Sequence, residues 1–294
     1  MDILLLAAST VGTVVQNLVS RAGGASFVGL HLLGRTNLIA NAFTFTVLLF
    51  FGFDFDVVKA NPSLFLLFSA LYGIFAVLAQ TLFVMAVEKN SVAIATLILS
   101  SGFLIPTFFA VFFYGEKLSI FRLAGIALLI VCLFLVIDKP QKKMGGWRFL
   151  LLAVSAAICS GAVGILQRLY VSHYPAENGM NEFLLGSFSF MIIFAFLQWT
   201  LGERKTRHLL PKESSRYAFI LPTLAIAVCT AIAHKLNLYL SSALPSTVFF
   251  PVNNVSSIGL TSIGAAFFFR ERLSKRKTAG ILLSAVAILI VSFG

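Results

Sequence analysis

Three stretches set polar side chains inside otherwise apolar runs: "HLLGRTNLIAN" (31–41), "AIAHKLNLYL" (231–240) and "FFPVNNVSSIGLTSIG" (249–264). An ionised group deep in hydrocarbon costs about 2.5–3.5 kcal/mol on insertion scales, so such residues face a wet cavity or a partner. In the first stretch, His31 and Arg35 are four apart and share a helix face; Asn37 and Asn41 form a second polar stripe. Arg35 has the chemistry to anchor an anionic group of a solute. Its competing role is to snorkel to the interface or to tie helices through backbone carbonyls. His234, Lys235 and Asn237 interrupt the second stretch, and Lys235 has no acid within a helical turn. It either lines a cavity or reaches the near interface. In the third stretch Asn253 lies about one turn from Ser256 and Ser257, a narrow stripe that packing of small polar residues between helices would also explain. Gln80 completes the candidate substrate-binding set of His31, Arg35, Gln80, His234, Lys235, Asn237, Asn253 and Ser256. For Gln16, Asn17, Tyr72, Gln167 and Arg168, and for Gln80 taken alone, an interhelical hydrogen bond is the commoner role.

These residues need elements to hold them. The chain has 294 residues, 59% hydrophobic and 11% charged, against roughly 25% charged in soluble domains. So much apolar surface cannot be hidden in a water-facing globule. The fold class is all-α integral membrane, with runs near the 20 residues that a spanning helix needs. Ten spans are expected: 2–20, 28–52, 62–87, 91–114 and 119–137, then 147–172, 181–201, 216–240, 245–269 and 275–293. The connections are short and carry breakers or charge, which leaves no room for a water-side catalytic domain. "MDILLLAASTVGTVVQNLVS" has an Asp where a signal peptide carries basic residues, and reads as the first span.

The chain repeats itself. Shifted by 155 residues, Glu116 meets Glu271, Leu118 meets Leu273, Ser119 meets Ser274, Gly125 meets Gly280 and Ile126 meets Ile281. The repeats divide it into residues 1–138 and 147–294, five spans each. An odd number of spans makes the second copy enter the membrane from the other side. Inverted repeats are the architecture of many secondary transporters, with the solute site near the midplane between the halves. The third polar stretch has a register partner in Ser100, Ser101, Gly102 and Pro106, and Pro251 removes one backbone hydrogen bond. Two facing broken helices around one site are therefore expected.

The net charge is +11, but the cations sit in short connections. They read as topology signals facing anionic membrane lipids rather than as a nucleic-acid surface. "RERLSKRK" carries Arg270, Arg272, Lys275, Arg276 and Lys277, whereas its copy "GEKLSIFR" carries Lys117 and Arg122. By charge, the connections between spans 1–2, 3–4, 5–6, 7–8 and 9–10 are cytoplasmic, and both termini lie outside.

At "GEKLS", "RERLS" and the "AGI" that opens the last span of each half, the chain resembles an EamA-type member of the drug/metabolite transporter superfamily. Arg35 early in the second span and "QRL" (167–169) closing the sixth resemble it too. The resemblance covers nearly the whole length. It implies a ten-helix inverted-repeat carrier with a central cavity for small metabolites or drugs. It also implies cytoplasmic termini, the reverse of the charge reading.

Absences narrow the chemistry. No carboxylate lies near the middle of a span: Glu88, Glu116, Glu177, Glu182 and Glu271 fall at helix ends or in connections. That speaks against a lipophilic-cation pump, although His31 and His234 titrate near neutral pH in their ordinary state. There is neither a phosphate-binding loop nor Cys and His at metal-ligand spacing, so no cofactor or metal and no nucleotide-driven step is expected. Cys132, Cys159 and Cys229 lie in apolar runs as buried small hydrophobes. The expectation is a non-enzymatic plasma-membrane carrier of amino acids or related anionic or zwitterionic metabolites. Efflux of amphipathic drugs is the alternative. The small-residue runs "AGGAS" and "GAVG" suit packing within the chain or a homodimer.

Overall fold

A computed structural model of the chain describes residues 2–22, 30–89, 92–137, 146–173, 179–202, 216–270 and 273–293. The first half has α1 (Asp2–Ala22), α2 (Leu30–Leu49), a short α3 (Phe55–Ala60), α4 (Pro62–Lys89), α5 (Val92–Ser100), α6 (Leu104–Tyr114) and α7 (Ile120–Val136). The second has α8 (Trp147–His173), α9 (Met180–Leu201), α10 (Arg216–Ala243), α11 (Ser246–Phe268) and α12 (Lys275–Phe293). Among the described residues every regular element is helical. Of the loop cations behind the sidedness argument, Lys139, Lys142, Lys143, Arg204, Lys205, Arg207, Lys212 and Arg272 lie outside the described residues, as do Glu177, Glu271 and the "AGGAS" connection.

Among the described residues six units are long and apolar enough to cross a membrane by length and composition: in α4, α5–α6, α8, α9, α10 and α12. Shorter apolar stretches run Leu4–Leu18 in α1 and Ile120–Val136 in α7. Helices α2 and α11 have 20 and 23 residues, and their Asn, Ser, Thr, His and Arg dilute the hydropathy. Helix α3 is not foreseen by periodicity, because six residues are too few to show a period. It forms because the Asp54 carboxylate accepts from the Asp56 N–H at 2.9 Å and caps the first turn.

The halves interlock. Helix α1 packs on α10, and its counterpart α8 packs on α4. Helix α4 packs on α9, and its counterpart α10 packs on α2. Two further pairs join a helix to its own counterpart, α2 with α9 and α7 with α12. Both run antiparallel. Near the start of α2, His31 Nδ1 bonds Trp199 O late in α9; near its end, Leu48 O accepts from Asn181 at the start of α9. In the α7–α12 pair, a Cβ on Gly125 would lie 3.1 Å from Val291 N, and one on Gly280 would lie 3.1 Å from Val136 N. These two contacts exchange under the 155-residue shift. The "AGI" of each half therefore supplies the glycine that lets the two backbones meet. The preceding "LS" supplies the caps: Ser119 Oγ accepts from Arg122 N at 3.1 Å, and Ser274 Oγ from Lys277 N at 3.3 Å.

One expectation is corrected. The fourth span is broken, with a 3-10 turn at Ser101–Phe103 between α5 and α6, but α11 runs unbroken through Pro251. Pro106 lacks the N–H that would reach Gly102, and Gly102 lies so close to α8 that a Cβ would stand 2.7 Å from Ala157 O. The local tightening follows from both. Pro251 falls in the second turn of α11, and the helix continues through it despite the missing backbone bond.

An aromatic cluster closes one end of the bundle, where α2, α8 and α10 end and α4, α9 and α11 begin. Tyr170 stacks on Phe183 with centroids 4.1 Å apart, Phe68 meets Tyr170 edge-on, and Leu48, Met180 and Leu238 fill around them.

Candidate functional site

Helices α4, α8 and α10 meet at the fully buried Tyr72. Gln167 Nε2 donates to the Tyr72 hydroxyl at 3.2 Å, and that hydroxyl lies 2.9 Å from His234 Nδ1. The phenol hydroxyl thus bridges the amide of α8 and the imidazole of α10. Phe188 and Tyr72 both present ring edges or faces to His234, with centroids at 5.5 and 6.3 Å.

A second cluster joins α1, α10 and α11. Ser9 Oγ donates to Asn237 Oδ1 at 2.5 Å, Asn253 Nδ2 donates to the same oxygen at 3.2 Å, and Thr10 Oγ1 donates to Asn253 Oδ1 at 3.2 Å. Asn17 extends the ladder to Thr261 at 3.3 Å. The structure thus brings Asn237 and Asn253 together. It leaves Ser256 outside these bonds, while Ser257 donates to its own helix at Asn254 O.

In the first half, Asn37 and Gln80 form a reciprocal amide pair between α2 and α4, at 2.9 and 3.3 Å. Gln80 is exposed and Asn37 buried, so the pair shows one edge to the space beside it. Arg35, two residues before Asn37, is exposed. His31, one turn away, is held by Trp199 O at 2.7 Å. The face they share is therefore used unequally: His31 is tied to α9 and Arg35 points out.

Lys235, half-buried beside His234, places its Nζ 4.0 Å from the centre of the Phe51 ring, a cation–π contact. Its charge is within reach of Glu182, which is 6% exposed at the start of α9 and accepts from Asp54 N at 2.9 Å. Glu182 falls at a helix end as expected, yet it is buried. Position along the chain does not reveal that.

Position along the chain also understates Glu116 and Arg168. Glu116 Oε1 accepts from Ser246 N at 2.9 Å, Oε2 accepts from Thr247 N at 3.0 Å, and Arg168 Nη2 lies 3.4 Å from Oε1. The signal is present in "GEKLS" and "QRL", but their partners lie far along the chain. Among the described residues no group of three His, Cys, Asp or Glu side chains is placed to hold a metal ion. The arrangement offers hydrogen-bond donors and acceptors, two cations and aromatic faces. It suits reversible binding of a small polar solute.

No curated protein matches the chain. A solved protein crystal structure superposes with a TM-score of 0.74 at 14% identity, over 99% of this chain and 96% of its own, a likeness of fold. The EamA-like transporter family matches twice, over residues 1–138 and 147–293. Two family units in tandem, all-helical and rich in apolar helices, make this a multi-pass membrane protein that belongs to the EamA-like transporter family.

Proposed function

We propose that the protein is a secondary transporter of amino acids or related anionic and zwitterionic metabolites, working by alternating access. In this reading its helices make ten crossings, with α5 and α6 together forming one, arranged as two inverted five-helix repeats in the plasma membrane. The observation that carries it is the antiparallel pairing of counterpart helices, α2 with α9 and α7 with α12. Two bodies related this way can rock against each other and expose a shared site to either side in turn. Lys235, half-buried on α10 beside Phe51, biases that site toward negative charge, while Arg35, exposed early on α2, offers a second cation toward the other end of that helix. Gln80, His234, Asn237 and Asn253 provide neutral hydrogen bonds, with His31 and Ser256 at the margin. The family points to carriage of a solute rather than to catalysis.

A second reading, efflux of amphipathic drugs, draws on an apolar groove of about 360 Å³ lined by Phe45, Phe53, Phe55 and Phe65 beside α3. Thermal-shift measurements on the purified protein separate the two, since a ligand of the native state raises the melting temperature by mass action. A pool of amino and organic acids is expected to stabilise the protein, and Arg35→Ala or Lys235→Ala to abolish the gain. Stabilisation by a pool of lipophilic cations alone would overturn the metabolite reading in favour of drug efflux.

A further inference from the structure

Helix α11 has no cap of its own. Its N-cap residue is Pro245, whose side chain makes no capping bond. Its first two donors, Ser246 N and Thr247 N, are met by the Glu116 carboxylate at 2.9 and 3.0 Å, and Glu116 belongs to the other half of the molecule. A helix N-terminus carries partial positive charge and unmet N–H groups, so a carboxylate there is held by both. Arg168 of α8 then clamps the carboxylate. Its Nη2 lies 3.4 Å from Glu116 Oε1, its Nη1 donates to Ser241 O at the end of α10, and its guanidinium lies over the Tyr114 ring at 5.5 Å. Tyr114, at the end of α6, also lies within hydrogen-bond distance of Ser172 on α8, at 3.1 Å. The Glu116 and Arg168 side chains are 11% and 21% exposed.

We propose that Glu116 and Arg168 form the latch that holds this end of the transporter shut. The inference rests on the alternating-access reading. The turn after α6 belongs to the first half, and α8, α10 and α11 belong to the second. Opening at this end by movement of one half against the other must draw the carboxylate off two backbone N–H groups and away from a guanidinium. In the closed state Arg168 Nε, Ser246 Oγ and Thr247 Oγ1 are buried with no protein partner. Water admitted on opening meets those groups, which offsets part of the cost of parting the ion pair and makes the latch reversible. The aromatic cluster around Tyr170 and Phe183 lies at the same end and supplies the seal.

The test is reactivity of a buried cysteine with a membrane-impermeant thiol reagent, in a variant whose Cys132, Cys159 and Cys229 are replaced by Ala. Leu238→Cys reports on the latched end, and Ala86→Cys, late in α4, on the opposite end; both residues are fully buried. Glu116→Gln and Arg168→Gln are each expected to raise the Leu238→Cys rate by about tenfold, the scale of a hydrogen bond to a charged group. Ala86→Cys should not rise with it. The double variant should add less than the product of the singles, because both remove one interaction. Unchanged Leu238→Cys rates in folded variants, or equal rises at both reporters, would overturn the latch. Should Glu116→Gln not give monodisperse protein, Arg168→Gln leaves the α11 cap in place and carries the same test. The alternating-access reading fails separately, if in the parent no pool of amino or organic acids changes the ratio of the two reporter rates.

Discussion

The α7–α12 pair and the group of helices around Tyr72 are built by different rules. In the pair, the two halves do the same thing twice: Gly125 meets Val291 as Gly280 meets Val136, and Ser119 caps α7 as Ser274 caps α12. Around Tyr72 the repeat is broken. Shifted by 155 residues, Tyr72 becomes Ala227 and Gln80 becomes Lys235. Tyr72 bridges Gln167 and His234, whereas Ala227 offers Thr44 only its backbone carbonyl, at 3.4 Å. Close packing tolerates duplication because two identical surfaces can satisfy each other across a two-fold. A solute has no such symmetry, so the groups that could meet it differ between the halves. Symmetry marks scaffold, and departure from it marks the candidate site.

The largest effect should come from attacking the symmetric part. Gly125→Val and Gly280→Val each insert a Cβ within 2.6–2.7 Å of the facing side chain and should destabilise by about 1–3 kcal/mol, as overpacking does. The two losses should be nearly equal, measured by unfolding in mild detergent. A clear inequality would break the equivalence of the two crossings.

Tyr72→Phe comes next. It keeps the ring and strips the hydroxyl from both His234 and Gln167, at a cost of about 1–2 kcal/mol in the same unfolding measurement. Ala227→Ser, at the counterpart position, should give no matching gain. If it did, the asymmetry would be a matter of drift rather than of design.

The smallest effect lies in the ladder of α1, α10 and α11. A double-mutant cycle of Asn237→Ala and Asn253→Ala should return a coupling of about 0.6 kcal/mol, typical of hydrogen bonds inside membrane proteins. A coupling indistinguishable from zero would say that the Asn237–Asn253 bond is not maintained in the membrane, and would detach Asn253 from the site.

Much of the scaffold is legible in the residue order. Apolar runs near 20 residues place the helices, with edges shifted by a few positions: the run 28–52 holds α2, which ends at Leu49. The site is legible only as a set of residue types. Polarity picks out His234, Asn237 and Asn253, but their partners Tyr72, Ser9 and Thr10 are hidden in other helices. Ser256, at a helical spacing from Asn253, joins no bond with it, because spacing along one helix does not say which neighbour occupies the facing groove. The helix break is expected on both sides and occurs on one, where Gly102 and Pro106 act together, while α11 continues through Pro251.

The sequence by itself determined what depends on neighbours along the chain. Membrane residence follows from the length and apolarity of its runs, duplication from the 155-residue register, and the caps of α7 and α12 from Ser119 and Ser274 three residues before the donors they meet. Tertiary structure alone decided which end Glu116 would cap. The N–H groups it accepts from lie 130 and 131 residues away, on a helix whose own N-cap is a proline. It also decided that Lys235 would meet Phe51 and that Glu182 would be buried. Periodicity states which face of a helix is polar. Only the packing of that face against another fixes a hydrogen bond, because the bond depends on distances and angles between atoms that the chain brings together by folding.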